Sequence, residues 1–130
     1  MVTKEDIESF LDRIDSGTAS VNEVEKNTFI VKTVGGAEVV VHYAPPVVIL
    51  RVTVMTLPAA TPRRSELLRE LLELNARDLV HGAYGLEGDK VVLTDTLELE
   101  NLDFNEFEAS FDSITLALAQ HLGALAPYRE

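Results

Sequence analysis

Near the N-terminus, Ile7, Phe10, Leu11 and Ile14 recur at helical spacing between polar positions, which predicts a helix over residues 4–16 with one apolar stripe. Thr3 is placed to cap it, with Asp6 at the capping-box position and Val2 and Ile7 at the staple positions. Gly17 is the expected stop. The period then falls to two. Residues 27–34 and 37–44 are rich in β-branched side chains and flank Gly35-Gly36, the pattern of a hairpin. Pro45-Pro46 interrupts the ladder, because proline lacks the donor that a central strand needs. Residues 47–57 read as the longest strand. Val48, Leu50, Val52 and Val54 share one face of it, and Val47, Ile49, Arg51, Thr53 and Met55 share the other. Both faces are substantially apolar, whereas a sheet covered on one side needs only one such face.

Thr61 and Pro62 open a second helix, as N-cap and first helical residue. Its Leu67, Leu68, Leu71, Leu72, Leu74 and Leu79 spread over more than one stripe, so it asks to be covered on two sides, and an oligomer contact is a natural cover. Gly82 is read as its end. A second hairpin follows around Gly88-Asp89, in which Val91, Leu93, Leu97 and Leu99 face inward. Asp95 shares their register and breaks the apolar pattern. Asp103 caps a last helix whose stripe runs Phe107, Phe111, Ile114, Leu118 and Leu122. The predicted class is α+β, in the order α-β-β-β-α-β-β-α, as one domain over residues 1–130.

Composition narrows the function. Hydrophobic residues make up 46% and charged residues 25% of the 130, the balance of a folded globular chain. No run is long and apolar enough for a membrane helix, and residues 2–6 lack the basic-then-apolar order of a secretory signal. There is no cysteine, hence no disulfide and no thiolate chemistry. These features predict a cytoplasmic protein. The formal charge is −11 and uneven: residues 1–25 carry two basic and seven acidic groups, and residues 83–130 carry two basic and ten acidic groups. Such a surface repels phosphate, which argues against nucleic acid and against anionic lipid. It favours encounter with basic partners.

Candidate chemistry is sparse. His42, His81 and His121 lie on different predicted elements without metal-ligand spacing, so hydrogen-bonding roles are the simpler account. No serine sits in a nucleophile elbow. Gly35-Gly36 is followed by no Lys-Ser/Thr pair and is not a phosphate loop. Asp95 is the one candidate for a carboxylate perturbed by burial, and a hydrolase pairing it with Glu98 or Asp112 is conceivable. A bulge that turns Asp95 outward, or a capped structural contact, is the simpler reading. No catalytic residue, metal or cofactor is expected.

The second half carries a resemblance. Leu68-Arg69-Glu70-Leu71-Leu72-Glu73-Leu74-Asn75 leads into His81-Gly82-Ala83-Tyr84-Gly85-Leu86. Then follow Gly88-Asp89-Lys90-Val91-Val92-Leu93 and Leu97-Glu98-Leu99-Glu100-Asn101-Leu102. Over residues 64–125 this resembles the class I type III secretion chaperones, the Tir-chaperone-like group, and the related YbjN-like proteins. The resemblance implies a twisted antiparallel sheet with helices packed against it, and usually a homodimer. It implies a dimer contact on the second helix, around Leu67, Leu71 and Leu74, and no catalytic residues. It also implies that an extended partner segment docks on apolar patches of the first helix and the sheet, here Phe10, Val47, Ile49 and Met55. Three functions follow as expectations: a chaperone-like homodimer holding a secreted or regulatory protein, a stand-alone YbjN-like regulator or scaffold, and a small-molecule site at Asp95.

Overall fold

A computed structural model describes residues 1–14 and 18–129. Helix α1 (Lys4–Arg13) is followed by strands β1 (Thr18–Glu25), β2 (Thr28–Thr33), β3 (Glu38–Ala44) and β4 (Val47–Thr56). Helix α2 (Arg63–Arg77), strands β5 (Ala83–Glu87) and β6 (Lys90–Glu98), helix α3 (Phe104–Leu125) and a 3-10 turn at Ala126–Tyr128 complete the chain. The class is α+β, with one strand more than the sequence pattern predicts. That strand is β1. Its sequence, Thr-Ala-Ser-Val-Asn-Glu-Val-Glu, has no clean alternation, because it lies at the sheet edge and pairs only with β2. An edge strand with acidic side chains is also protected against unwanted pairing. Lys4 ties α1 to it through Glu23, at 2.9 Å.

The six strands form one antiparallel sheet in the order β1-β2-β3-β4-β6-β5. Alternation puts Phe29, Val31, Val39, Val41, Val48, Leu50, Val52 and Leu93 on one face, where they join Ile7, Leu67, Leu71, Phe107, Phe111 and Ile114 from the three helices in a single cluster. All three helices therefore cover the same face of the sheet.

The caps set where the helices begin. Thr3 and Asp6 exchange both bonds of a capping box, which holds the Asp6 carboxyl below its usual range through the Thr3 backbone and hydroxyl donors. Asp103 accepts from the Glu106 amide at 2.7 Å. Two expected boundaries move. Helix α2 starts at Arg63 with Pro62 in the cap position, and it ends at Arg77, well before Gly82. The first helix ends at Arg13; Ser16 and Gly17 lie outside the described residues. Gly82 has a different task. It has φ +79°, and a Cβ there would meet the Thr94 carbonyl oxygen at 2.8 Å, so glycine is required where the chain enters β5.

Candidate protein-binding surfaces

The second face of the sheet has no such cover. Ile30 pairs with Val40, Val40 with Arg51 and Arg51 with Thr94, while Thr28 pairs with His42, His42 with Ile49 and Ile49 with Thr96. Ile30, Val40, Val47 and Ile49 are half-buried there, an apolar band between polar neighbours. Thr28 Oγ1 and His42 Nδ1 lie 2.8 Å apart across the strands. Arg51 forms an ion pair with Glu87, spanning β4 to β5. Val47 and Ile49, expected to meet a partner, are on this face and available.

The other expected contact residues are differently placed. Met55 should share the face of Ile49, but a register shift between Thr53 and Met55 turns it into the core, where it is 9% exposed. Phe10 is half-buried with its ring 5.6 Å from Phe107 and 5.8 Å from Phe104, so it serves the joint between α1 and α3. Arg13 stacks over the Phe104 ring at 3.9 Å and closes that joint. Leu67, Leu71 and Leu74 are 0%, 5% and 3% exposed within a single chain. Within a single chain this i, i+4, i+7 stripe is the one that faces the sheet. The arc of α2 is nonetheless wide: Leu72 is 69% exposed, and beyond the helix Val80 and Leu86 are exposed as well.

A cleft of about 650 Å³ opens where β3 leaves β4. The two strands pair from Val40↔Arg51 to Ala44↔Val47, whereas β4 continues to Thr56 alongside β6. The gap is bounded by the β2–β3 turn (Gly35, Gly36), by Val52 and Val54, and by Phe111, Leu118 and Leu122 of α3. Leu118 and Leu122 continue the stripe that the helical period predicts, and Leu118 packs half-buried against the core. The buried stripe of α3 instead runs through Ala117, His121 and Leu125, which leaves Leu122 48% exposed on the cleft. Arg129 lines the same cleft and donates to the Val54 carbonyl at 3.5 Å.

The buried polar groups hold the scaffold of these surfaces. Asn75 clamps β5 to α2: its Oδ1 accepts from the Tyr84 amide at 2.7 Å, and its Nδ2 donates to the Tyr84 carbonyl at 3.2 Å. The phenol of Tyr84 meets His121 Nδ1 at 2.7 Å, and His121 Nε2 lies 3.3 Å from Asp78 Oδ2. Burial, reinforced by the Asp78 charge, pushes the Tyr84 hydroxyl up to about 12. It thus stays protonated and shares one hydrogen bond with His121 Nδ1, while Nε2 of the same ring faces the Asp78 carboxylate. His121 is a structural histidine, 4% exposed. Neither Asn75 nor this trio follows from periodicity; the recurring Leu-Leu-x-x-Asn pattern was the available signal for Asn75.

Asp95 points into the core face opposite Leu50, with a buried Oδ2 that has no hydrogen-bond partner. No bulge turns it outward, and the cleft does not reach it. Asp112, on α3, is raised by burial. Among the described residues, no three His, Asp or Glu side chains stand close enough to hold a metal ion, and no helix is long and apolar enough to cross a membrane.

A family model described as CesT_Tir_1 matches residues 1–130. Solved structures share the fold. One is YbjN of E. coli, described as a putative transcription regulator, with TM-score 0.66 at 13% identity over 95% of this chain and 96% of that one. Another is the HopA1–SchA chaperone–effector complex, with TM-score 0.61 at 11% identity over 86% of each chain. The ExoU–SpcU complex of the Pseudomonas aeruginosa type III secretion system gives TM-score 0.59 at 16% identity, over 95% of this chain and 98% of that one. No curated protein matches the chain.

Proposed function

The chain belongs to the CesT_Tir_1 family, and from that premise we propose that it is a non-catalytic, chaperone-like homodimer that holds an extended segment of another protein. The observation that carries this reading is the uncovered sheet face, where Ile30, Val40, Val47 and Ile49 remain half-buried while all three helices pack on the opposite side. A folded chain gains nothing from leaving such a band in water, whereas a bound polypeptide would remove it. Chaperone–effector complexes among the structures of like fold support the same reading. The two copies would meet through the exposed apolar residues of α2, β5 and the loop between them, Leu72, Leu86 and Val80.

The test uses the tagged chain in its native host beside an Ile49→Lys variant. The wild type should co-purify one protein reproducibly. The variant should keep its Tm, because Ile49 is not in the core cluster, and should lose that protein. Retention of the partner by the variant, or its absence from the wild type, overturns the reading.

A second reading is favoured by the fold match to YbjN over 95% of the chain: a stand-alone regulatory or scaffold protein acting through its dimer surface. Deletion would then alter expression or stress phenotypes without the loss of any single client protein.

A further inference from the structure

The cleft beside α3 is apolar along both walls and cationic at one point. Val52 and Val54 of β4 form one wall, and Phe111, Leu118 and Leu122 of α3 form the other. Its volume of about 650 Å³ falls in the range of small-molecule sites. Leu122 is left 48% exposed there, so an apolar ligand would take its surface out of water. Most polar side chains of the lining are already engaged. Thr33 Oγ1 bonds with Ala37, Thr115 Oγ1 donates to the Phe111 and Asp112 carbonyls, and Glu38 pairs with Lys32. Arg129 differs from these. It is the one basic residue of the lining, and its contact with the Val54 carbonyl is 3.5 Å long, at the limit for a hydrogen bond.

The charge around Arg129 narrows the occupant. Acidic residues outnumber basic ones by 22 to 11, yet among the described residues Arg129 has no carboxylate partner. Two further cations stand near it with the same lack. Arg63 donates to the carbonyl of Pro127, two residues before Arg129. Lys90 Nζ donates to Thr56 Oγ1 at 2.9 Å, and Thr56 lines a smaller hollow of about 270 Å³ that Arg129 also lines. A small inorganic anion would use these cations but leave the apolar walls wet. A neutral hydrocarbon would do the reverse. An aliphatic chain that ends in a carboxylate satisfies both. The net charge of −11 opposes an anionic bilayer, but a single carboxylate in contact with Arg129 is governed by the nearest charges, since salt screens the distant ones.

We propose that this cleft binds a free fatty acid of medium length, with the chain between β4 and α3 and the carboxylate on Arg129. The guanidinium exchanges its long contact with the Val54 carbonyl for shorter, charge-assisted bonds. The site is separate from the uncovered sheet face and does not depend on the protein-holding reading.

The probe is sodium decanoate below its aggregation concentration, titrated into the full chain by calorimetry, with decanol and decylammonium as controls of equal chain length. Decanoate should bind about tenfold or more tightly than either control. Its addition should shift the amide resonances of Val52, Val54, Leu118 and Leu122. Arg129→Gln, at an exposed position that leaves the core intact, should bring decanoate down to the affinity of decanol. Leu122→Asn should weaken decanoate and decanol alike, because it removes part of an apolar wall without adding charge. No binding of decanoate, equal binding of decylammonium, an Arg129→Gln affinity equal to that of the wild type, or shifts confined to Val47 and Ile49 overturns the proposal.

Discussion

Tyr84 concentrates most of the polar interior. Its backbone is held by Asn75 and its phenol by His121, which in turn faces Asp78. Removing the hydroxyl in Tyr84→Phe leaves the buried Nδ1 of His121 without its hydrogen-bond partner, a change expected to cost about 1–3 kcal/mol in urea unfolding. The same phenol sets an alkaline limit. Its folded value is raised from 10.0 to about 12, so the folded state holds the proton more tightly than the unfolded chain. The stability from this group is complete below pH 10 and is lost as the pH rises through about 12. Unfolding midpoints of the wild type should fall across that window, and those of Tyr84→Phe should fall less.

On α2 two neighbouring leucines have opposite fates. Leu71 is buried against the sheet and Leu72 is exposed. Leu71→Glu should unfold the chain, because it places a charge in the monomer's own core. Leu72→Glu should keep the circular dichroism of the wild type and reduce a dimer to a monomer in light scattering. An unchanged mass for Leu72→Glu, or a folded Leu71→Glu, would contradict this division of the helix. β4 divides in the same manner: alternation places Ile49 on the uncovered face, but the register shift before Met55 ends that alternation and moves Met55 into the core.

At the scale of the molecule, one side of the sheet is packed by three helices and the other is not. If two copies join through α2 and β5, folding and association are linked, so Tm should rise with protein concentration. A Tm independent of concentration over a wide range would separate the dimer from the rest of the proposed function. The acidic surface acts here as well. Association with a basic partner segment should weaken as salt is added, since screening removes the long-range attraction.

Local rules were enough for much of this. Thr3 with Asp6, Asp103 with Glu106, Pro45-Pro46 and the valine alternation of β4 each act within a few residues, and they fixed the elements, their order after β1 and the α+β class. The motif in residues 64–125 carried the family. Tertiary structure alone decided the rest. β1 is a strand because β2 offers it an edge, not because its own side chains alternate. The Leu67–Leu71–Leu74 stripe faces inward because α2 lies on the sheet, and a count of apolar positions cannot say which of two stripes the fold will use. The departure of β3 from β4, which opens the cleft, depends on pairings between residues distant along the chain. No period within one segment encodes it.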